Sequence, residues 1–238
     1  MKKLLITGGS RGIGRACVEY FSSIGYRVAF IYAKSDEAAE ALAKSCGALA
    51  VKADVSDAAS LKAAFSVAVE WLGGLDVLIN NAGIAQIKLL SDVTDEDWER
   101  MIGVNLSGVF YTTRAAIPLM VAQKSGRIIN IGSVWGRCGA SCESHYSATK
   151  SALRGLTLSL AKELGPSGIT VNCIEPGVID TDMNGDLDEE TMRSLAQETP
   201  LMKIGDPMEV AYLAEFLASE RASFITGQMI GVDGGYAL

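Results

Sequence analysis

Short apolar runs alternate along the whole chain with longer stretches in which apolar positions recur three or four residues apart. The short runs are Lys3–Thr7, Arg27–Tyr32, Ala48–Ala53, Asp76–Asn80, Arg127–Gly132, Ile169–Ile174 and Met229–Val232. Most lack internal polar alternation, which is the pattern of parallel strands covered on both faces. Between them the spacing predicts helices over Ile13–Ile24, Asp36–Cys46, Ala58–Leu72, Asp95–Gln123, Ser147–Leu164 and Met208–Ser219. Start and stop signals accompany several of these: Ser56 before Asp57, Gly25 after the first helix, Gly165-Pro166 after the fifth. A strand–helix unit repeated about six times argues for a doubly wound α/β sheet. Nothing in the sequence marks a linker or repeat, so residues 1–238 are expected to form a single domain.

One segment breaks the rhythm. Between Asp180 and Glu190 stand six acids (Asp180, Asp182, Asp186, Asp188, Glu189 and Glu190) and no base, followed by a short helical stretch over Glu189–Gln197. A solvated surface excursion and a lid covering about 180–207, over a site at the carboxyl ends of the strands, are both open readings.

Composition narrows the chemistry. The 238 residues are 49% apolar and 21% charged, with 28 acids against 21 bases and a net charge of −7. An acidic chain is a poor partner for nucleic acid, because neutralising phosphates requires a basic face. A single histidine, His145, leaves little room for a His-based metal site or a Ser-His-Asp triad. The five cysteines (17, 46, 138, 142 and 173) form no C-x-x-C pair and read as reduced thiols. The apolar start at Leu4 stops at Thr7, too early for a signal peptide, and no run is long enough to span a bilayer. A soluble, cytoplasmic protein is expected. The 25 glycines exceed the usual share of roughly 7% and call for an explanation.

Part of that explanation is Thr7-Gly8-Gly9-Ser10-Arg11-Gly12-Ile13-Gly14, between the first strand and the first helix. Glycines there permit a tight turn and close approach of backbone to a pyrophosphate, whose charge then meets a helix N-terminus. The spacing is G-x-x-x-G-x-G, and its strand–turn–helix setting favours dinucleotide binding. An acid ending the second strand would bind adenosine ribose hydroxyls, whereas a 2′-phosphate requires no acid there and a nearby cation. Tyr32, Ala33, Lys34 and Ser35 occupy that point, Arg11 is in the glycine loop, and Asp36 is expected to cap the next helix. This favours NADP(H).

Tyr146 and Lys150 are four apart, one helical turn, so phenol and ammonium share a face. A nearby cation favours phenolate and brings a tyrosine pKa down from about 10, which suits acid–base work. Ser133 ends the fifth strand, where a hydroxyl can face a ligand.

Taken together, Thr7–Gly14, Asn80-Asn81-Ala82-Gly83, Asn105, Ser133, Tyr146 with Lys150, and Pro176-Gly177 resemble the signatures of the short-chain dehydrogenase/reductases. The resemblance spans the chain through Thr226-Gly227-Gln228 and Asp233-Gly234-Gly235, and is strongest to the 3-oxoacyl-[acyl-carrier-protein] reductase-like branch. It implies a Rossmann fold with seven parallel strands and helices on both faces, in a homotetramer. It also implies an NADPH-dependent reductase of a 3-oxoacyl ketone, acting in fatty acid biosynthesis. In that family Tyr146 would donate a proton to the carbonyl oxygen, with Ser133 bonding the same oxygen. Lys150 would hold the nicotinamide ribose, and Asn105 a water that reprotonates the relay. The implied cofactor contacts are Gly8, Ser10, Arg11, Gly12, Ile13 and Gly14; Tyr32, Lys34 and Ser35; Asp54 and Val55 at the adenine; Asn81, Ala82 and Gly83 beside the ribose; Tyr146 and Lys150; and Pro176, Gly177, Ile179 and Thr181 at the nicotinamide.

Several residues depart from the family pattern. Glu143, His145 and Glu175 stand where relatives commonly carry Gln, Asn and a small residue, and Ser167 replaces a cation used to dock acyl carrier protein, although Arg127 is kept. The run Ser133 to Glu143, with Trp135, also resembles elongation factor P 5-aminopentanone reductases, in which Glu143 or Glu175 could pair with a substrate amine. A catalytically silent NADP(H)-binding sensor or scaffold is a reading from another class. His145 is expected on a helix surface or subunit contact, and Cys138 and Cys142 in packing.

Overall fold

Seven strands form one parallel sheet: β1 (Lys3–Thr7), β2 (Arg27–Tyr32), β3 (Leu49–Lys52), β4 (Val77–Asn80), β5 (Gly126–Ile131), β6 (Ile169–Pro176) and β7 (Met229–Val232). The computed structural model describes residues 1–185 and 188–237, so Asp186 of the acidic run lies outside the described residues. The spatial order is β3-β2-β1-β4-β5-β6-β7. The chain winds outward from β1 to β3, then crosses back to β4 and winds the other way. The carboxyl ends of β1 and β4 therefore diverge into a crevice, the usual ligand position in a doubly wound sheet.

Alternate residues of each central strand feed opposite layers. On one side Leu4, Ile6, Val28 and Phe30 pack with α1 (Gly12–Ser23), α2 (Asp36–Cys46) and a late helix, Pro207–Ala218. On the other, Leu5, Ile31 and Leu78 pack with α3 (Ala58–Leu72) and with the two long helices that follow β4 and β5. Because both faces are covered, β1, β2, β4, β5 and β6 are apolar almost throughout.

The stretch expected as one helix over 95–123 is three pieces: α4 (Asp95–Ile102), a π-helical turn Gly103–Ser107, and α5 (Gly108–Gln123). Apolar periodicity runs through all three, so the sequence pattern does not betray the widened turn, a feature that often marks function. A one-turn α6 (Trp135–Cys138) precedes α7 (Ser144–Leu164), which begins before Ser147. The remaining helices are α8 (Glu189–Glu198) and α9 (Pro207–Ala218). One boundary signal is corrected: Asp57, not Ser56, caps α3 by accepting from the amides of Ala59 and Ser60. Gly165 stands just past the end of α7 as expected, and the 3-10 turn it opens is closed by Gly168 at φ +73° ahead of β6.

Beneath the crevice runs a buried polar ladder. Asn80 donates to Asn130 Oδ1 (2.9 Å) and Thr113 Oγ1 (3.0 Å), and accepts from Thr112 (2.6 Å), while Asn130 donates to Thr157 (2.9 Å). A buried amide left without partners costs roughly 1–3 kcal/mol, so this ladder sets where α5 and α7 stand against β4 and β5. Residues 180–207 leave and return at one point, where Asp180 N donates to Gly205 O (2.9 Å) and Gly205 N to Val178 O (3.0 Å). Among the described residues no helix is long and apolar enough to cross a membrane.

Candidate active site

A cleft of about 610 Å³ opens at the crevice between β1 and β4, bounded by the glycine loop, the ends of β2 and β3, the segment after β4, and α4. Gly8 (φ +69°) and Gly12 (φ +50°) take left-handed conformations, and the amides of Gly8 and Gly9 both donate to Ile31 O. Ser10, Arg11, Gly12 and Ile13 line the cleft. Arg11 precedes α1 without a side-chain cap, and the first turn of α1 holds no acid. Its unpaired amides and positive end are thus available to an anion. Gly9 and Gly14 serve packing instead: β-carbons there would meet Phe30 at 2.5 Å and Gly8 O at 2.0 Å. Asn81 fixes the loop, its amide donating to Thr7 O (3.0 Å) and Gly8 O (2.9 Å).

Tyr32, Lys34 and Ser35 border the same cleft at the end of β2. Asp36 does not cap α2 as expected; it is the first helical residue, and its carboxylate pairs with Lys52 Nζ at 2.6 Å. That ammonium, with the Tyr32 hydroxyl, holds Asp36 below the usual carboxylate range. Farther along, Asp54 accepts from Ser56 N (2.9 Å), Ser56 Oγ (2.7 Å) and Arg100 Nη1 (2.8 Å), and Val55 lines the wall beside it. Arg100 was not foreseen, nor were Gln86, Asp97, Met101 and Val104, which line the cleft from the following loop and α4.

Past the Gly83 wall the groups become buried, and Asn105, Ser133, Tyr146 and Lys150 are not among the residues that line this cleft. Ser133 follows β5, and its Oγ accepts from Trp135 N (3.1 Å). Tyr146 and Lys150 come from the first turns of α7 and are 7% and 5% exposed. Lys150 Nζ lies 5.7 Å from the Tyr146 ring centroid and donates to Ile131 O (2.8 Å). Burial pushes the Tyr146 phenol up to about 12, with the Ser133 hydroxyl acting the other way, and brings the Lys150 ammonium down to about 8. The phenol expected to approach neutrality is therefore held protonated, because desolvation outweighs a cation that is itself tied to a carbonyl. Asn105, in the π turn, accepts from Ile84 N (2.9 Å) and donates to Ile84 O (2.9 Å), Met101 Sδ (3.0 Å) and Thr149 Oγ1 (3.2 Å). Its donors are all used, which leaves one acceptor lone pair. A β-carbon on Gly83 would stand 3.4 Å from both Asn105 Oδ1 and Lys150 Nζ, so Gly83, which lines the cleft, stands directly between it and these groups.

Residues 8–237 match the family model described as Enoyl-(Acyl carrier protein) reductase. The 3-oxoacyl-[acyl-carrier-protein] reductase FabG of Staphylococcus aureus is 43% identical over 239 residues, covering 98% of this chain and 97% of that protein. The like-named protein of Aquifex aeolicus is 42% identical over 240 residues, covering 98% and 96%. Among solved structures, a short-chain dehydrogenase/reductase of Serratia marcescens superposes with a TM-score of 0.93 at 39% identity, covering 100% of this chain and 98% of that one. A 3-oxoacyl-[acyl-carrier protein] reductase of Brucella melitensis gives 0.92 at 36%, covering 100% and 91%. The chain belongs to the short-chain dehydrogenase/reductase family.

Membership makes it an oxidoreductase of Rossmann type, and several residues can now be weighed within that family. Thr181 lines the cleft and faces Gly12, where a β-carbon would come within 3.1 Å of Thr181 Cγ2. Pro176 ends β6, Gly177 packs on Asp233, and the Ile179 side chain is buried in the core rather than in the cleft. Trp135 stands edge-on to Tyr236, with centroids 5.1 Å apart. Glu143, half-buried before α7, is raised by burial and raises Tyr146 in turn; among the described residues it has no ion-pair partner. Glu175 is corrected: it is 3% exposed and bound by Arg154, so its charge is already compensated. Arg127 is likewise buried, against Gly126 O and Glu220, and offers nothing to an acidic partner. His145 is fully buried, not on a surface, because the first turn of α7 packs beneath the loop after β4. Cys138 is exposed, and its thiol donates to Val134 O (3.3 Å) rather than joining the core.

Proposed function

We propose that this chain is an NADPH-dependent carbonyl reductase that converts a 3-oxoacyl group, carried on acyl carrier protein or another thioester, to a secondary alcohol. The grouping of the Ser133 and Tyr146 hydroxyls with the buried Lys150 ammonium, behind the Gly83 wall of the cleft, carries this reading. The outer cleft fits the cofactor. The uncapped N-terminus of α1 and the left-handed Gly8 and Gly12 suit a pyrophosphate, and Arg11 and Lys34 suit a 2′-phosphate. Asp54 with Arg100 would border the adenine, and Gly83, Lys150 and Thr181 the nicotinamide riboside. Bound there, NADPH supplies a hydride for the carbonyl carbon.

This chain's residues handle the proton. Tyr146, protonated because it is buried, holds an O–H that can be given to the developing alkoxide. Ser133 donates a hydrogen bond to the same oxygen, so charge is stabilised from two sides in a site shielded from water. Lys150, held by its bond to Ile131 O, keeps a positive charge near the phenolate that remains. Asn105, by clamping Ile84, fixes the wall facing them and retains one lone pair for a water.

A second reading, an aminopentanone carried on elongation factor P, is favoured by the half-buried Glu143 near Tyr146, which has no ion-pair partner among the described residues and could accept a substrate ammonium. The five free cysteines fit the cytoplasm, and exposed Phe110, Val121 and Leu158 on α5 and α7 fit a homotetramer. NADPH oxidation should be followed with a 3-oxoacyl thioester, the same group on acyl carrier protein, an aminoketone and an enoyl thioester. Turnover of the 3-oxoacyl substrates, lowered by at least about 10²-fold in Tyr146→Phe, is the expected result. Preference for the aminoketone, lost in Glu143→Gln, would install the second reading. NADPH binding without turnover of any substrate would leave a sensor or scaffold.

A further inference from the structure

The only histidine in the chain adjoins Tyr146 and is fully buried, yet the proton transfer above makes no use of it. His145 Nε2 lies 3.0 Å from Gln86 Oε1. The Gln86 amide is oriented from its other end, where Nε2 donates to Asp97 Oδ1 (2.9 Å). Asp97 is anchored in turn by Lys88 Nζ (2.6 Å) and Thr94 N (3.1 Å). Since Gln86 presents its carbonyl, His145 must be the donor, and its proton sits on Nε2. Among the described residues Nδ1 is buried without a partner, so the ring is tied through Nε2 alone.

The chain of bonds links three elements. It runs from the first turn of α7, which carries Tyr146, through the loop after β4, to the N-terminal turn of α4. A second tie runs parallel to it, Lys88 N donating to Cys142 O (2.7 Å) just ahead of α7. Cys142 holds φ +63°, an unfavourable conformation for a residue other than glycine, so the connection into α7 is constrained on both sides. The same loop is gripped two residues earlier by Asn105 at Ile84, and Gln86 and Asp97 line the cleft.

Building on the proposed role of Tyr146 as proton donor, we infer that His145 is a positioning residue, holding the Tyr146 turn of α7 in register with the cleft wall through Gln86 and Asp97. Its effect belongs to the reacting geometry, since its bond to Gln86 ties down the very turn of α7 that carries Tyr146. Misplacing a reacting group by about an ångström is enough to cost up to about 100-fold in rate.

The experiment uses the full chain with NADPH and a 3-oxobutanoyl thioester. His145→Leu, which removes the donor, is expected to lower kcat about tenfold with both KM values within about twofold, and His145→Gln, which places an amide N–H near the same point, to recover most of it. Gln86→Leu, on a less buried residue, gives the same loss without disturbing the interior of α7, and the double variant His145→Leu/Gln86→Leu is expected to be no slower than either single one. Losses that multiply in the double variant, or equal loss in His145→Gln and His145→Leu, would overturn the positioning role. So would wild-type kcat in Gln86→Leu beside an inactive Tyr146→Phe. Undiminished turnover in Tyr146→Phe would instead strike at the reductase chemistry on which the inference rests.

Discussion

The two ends of the cleft are built on opposite principles. At the outer end the charged side chains stand in water: Arg11 is 62% and Arg100 41% exposed along their side chains, and the one deep feature is backbone, the open N-terminus of α1. Behind the Gly83 wall at the inner end, the groups proposed to act on the substrate are side chains, and they are almost dry. Charges in water bind weakly and are screened by salt, but they need little support. Buried groups act strongly and shift one another's protonation, and each must be held by partners, as Lys150 is by Ile131 and Asn105 by Ile84. The outer end is suited to holding a large anion reversibly, the inner end to moving one proton.

The largest effect that would test this contrast is expected at Lys150. Lys150→Met should lower kcat/KM at least about 10²-fold, because a buried ammonium works at high field. Reduction by the wild type should also decline as pH rises through about 8, where Lys150 loses its charge. Stability should move the other way. The unfolded lysine keeps its proton up to its ordinary value of 10.5, whereas the folded one loses it near 8. Between those values the unfolded state binds more protons, so stability rises with pH across that window. The buried Cys17 and Cys173 thiols, pushed up to about 12, oppose this from their ordinary value of 9.0, and Tyr146 from its ordinary value of 10. Urea unfolding at pH 8 and pH 9 should show the increase in the wild type and a flatter response in Lys150→Met. Equal responses would mean that Lys150 is not effectively buried.

A smaller effect is expected at the outer end. Removing both cations in Arg11→Ala/Lys34→Ala should raise the KM for NADPH about tenfold and leave that for NADH within about twofold, since only the former carries a 2′-phosphate. The difference should shrink as salt is raised. A parallel rise for both cofactors would place these cations at the shared pyrophosphate instead.

The contrast also explains what could be read from sequence. The strands and most helices were legible because a sheet covered on both faces must use apolar runs, and these break at turn residues. Gly8, Gly12, Ser133, Tyr146 and Lys150 were legible because a short local pattern carries each. The groups that escaped reading act over long separations. Arg100 meets Asp54 across 46 positions, and His145 meets Gln86 across 59. No local periodicity records such pairs. The π turn at Asn105 escaped for another reason: a widened turn inside an apolar helix leaves the three-and-four spacing nearly intact. Glu175 and Arg127 were open to misreading because a charge in sequence does not reveal whether its partner is already in the fold.

The smallest effect probes the boundary of the outer end, at the pair Asp36–Lys52. Both side chains are more than half exposed, so their attraction contributes little to folding, and Lys52→Gln should leave the thermal midpoint unchanged. The pair has a different consequence. Asp36 stands one helical position beyond Ser35, and with Lys52 present its charge is largely cancelled where Lys34 faces the cleft. Freed of that ammonium, the carboxylate would repel a 2′-phosphate and accept bonds from ribose hydroxyls. Lys52→Gln should therefore lower the preference for NADPH over NADH by about two- to threefold, an effect that vanishes at high salt because the site is exposed. A lower midpoint with unchanged cofactor preference would show the pair to be a structural strut. A shifted preference at constant midpoint would place Lys52, a residue outside the cleft, among those that set cofactor choice.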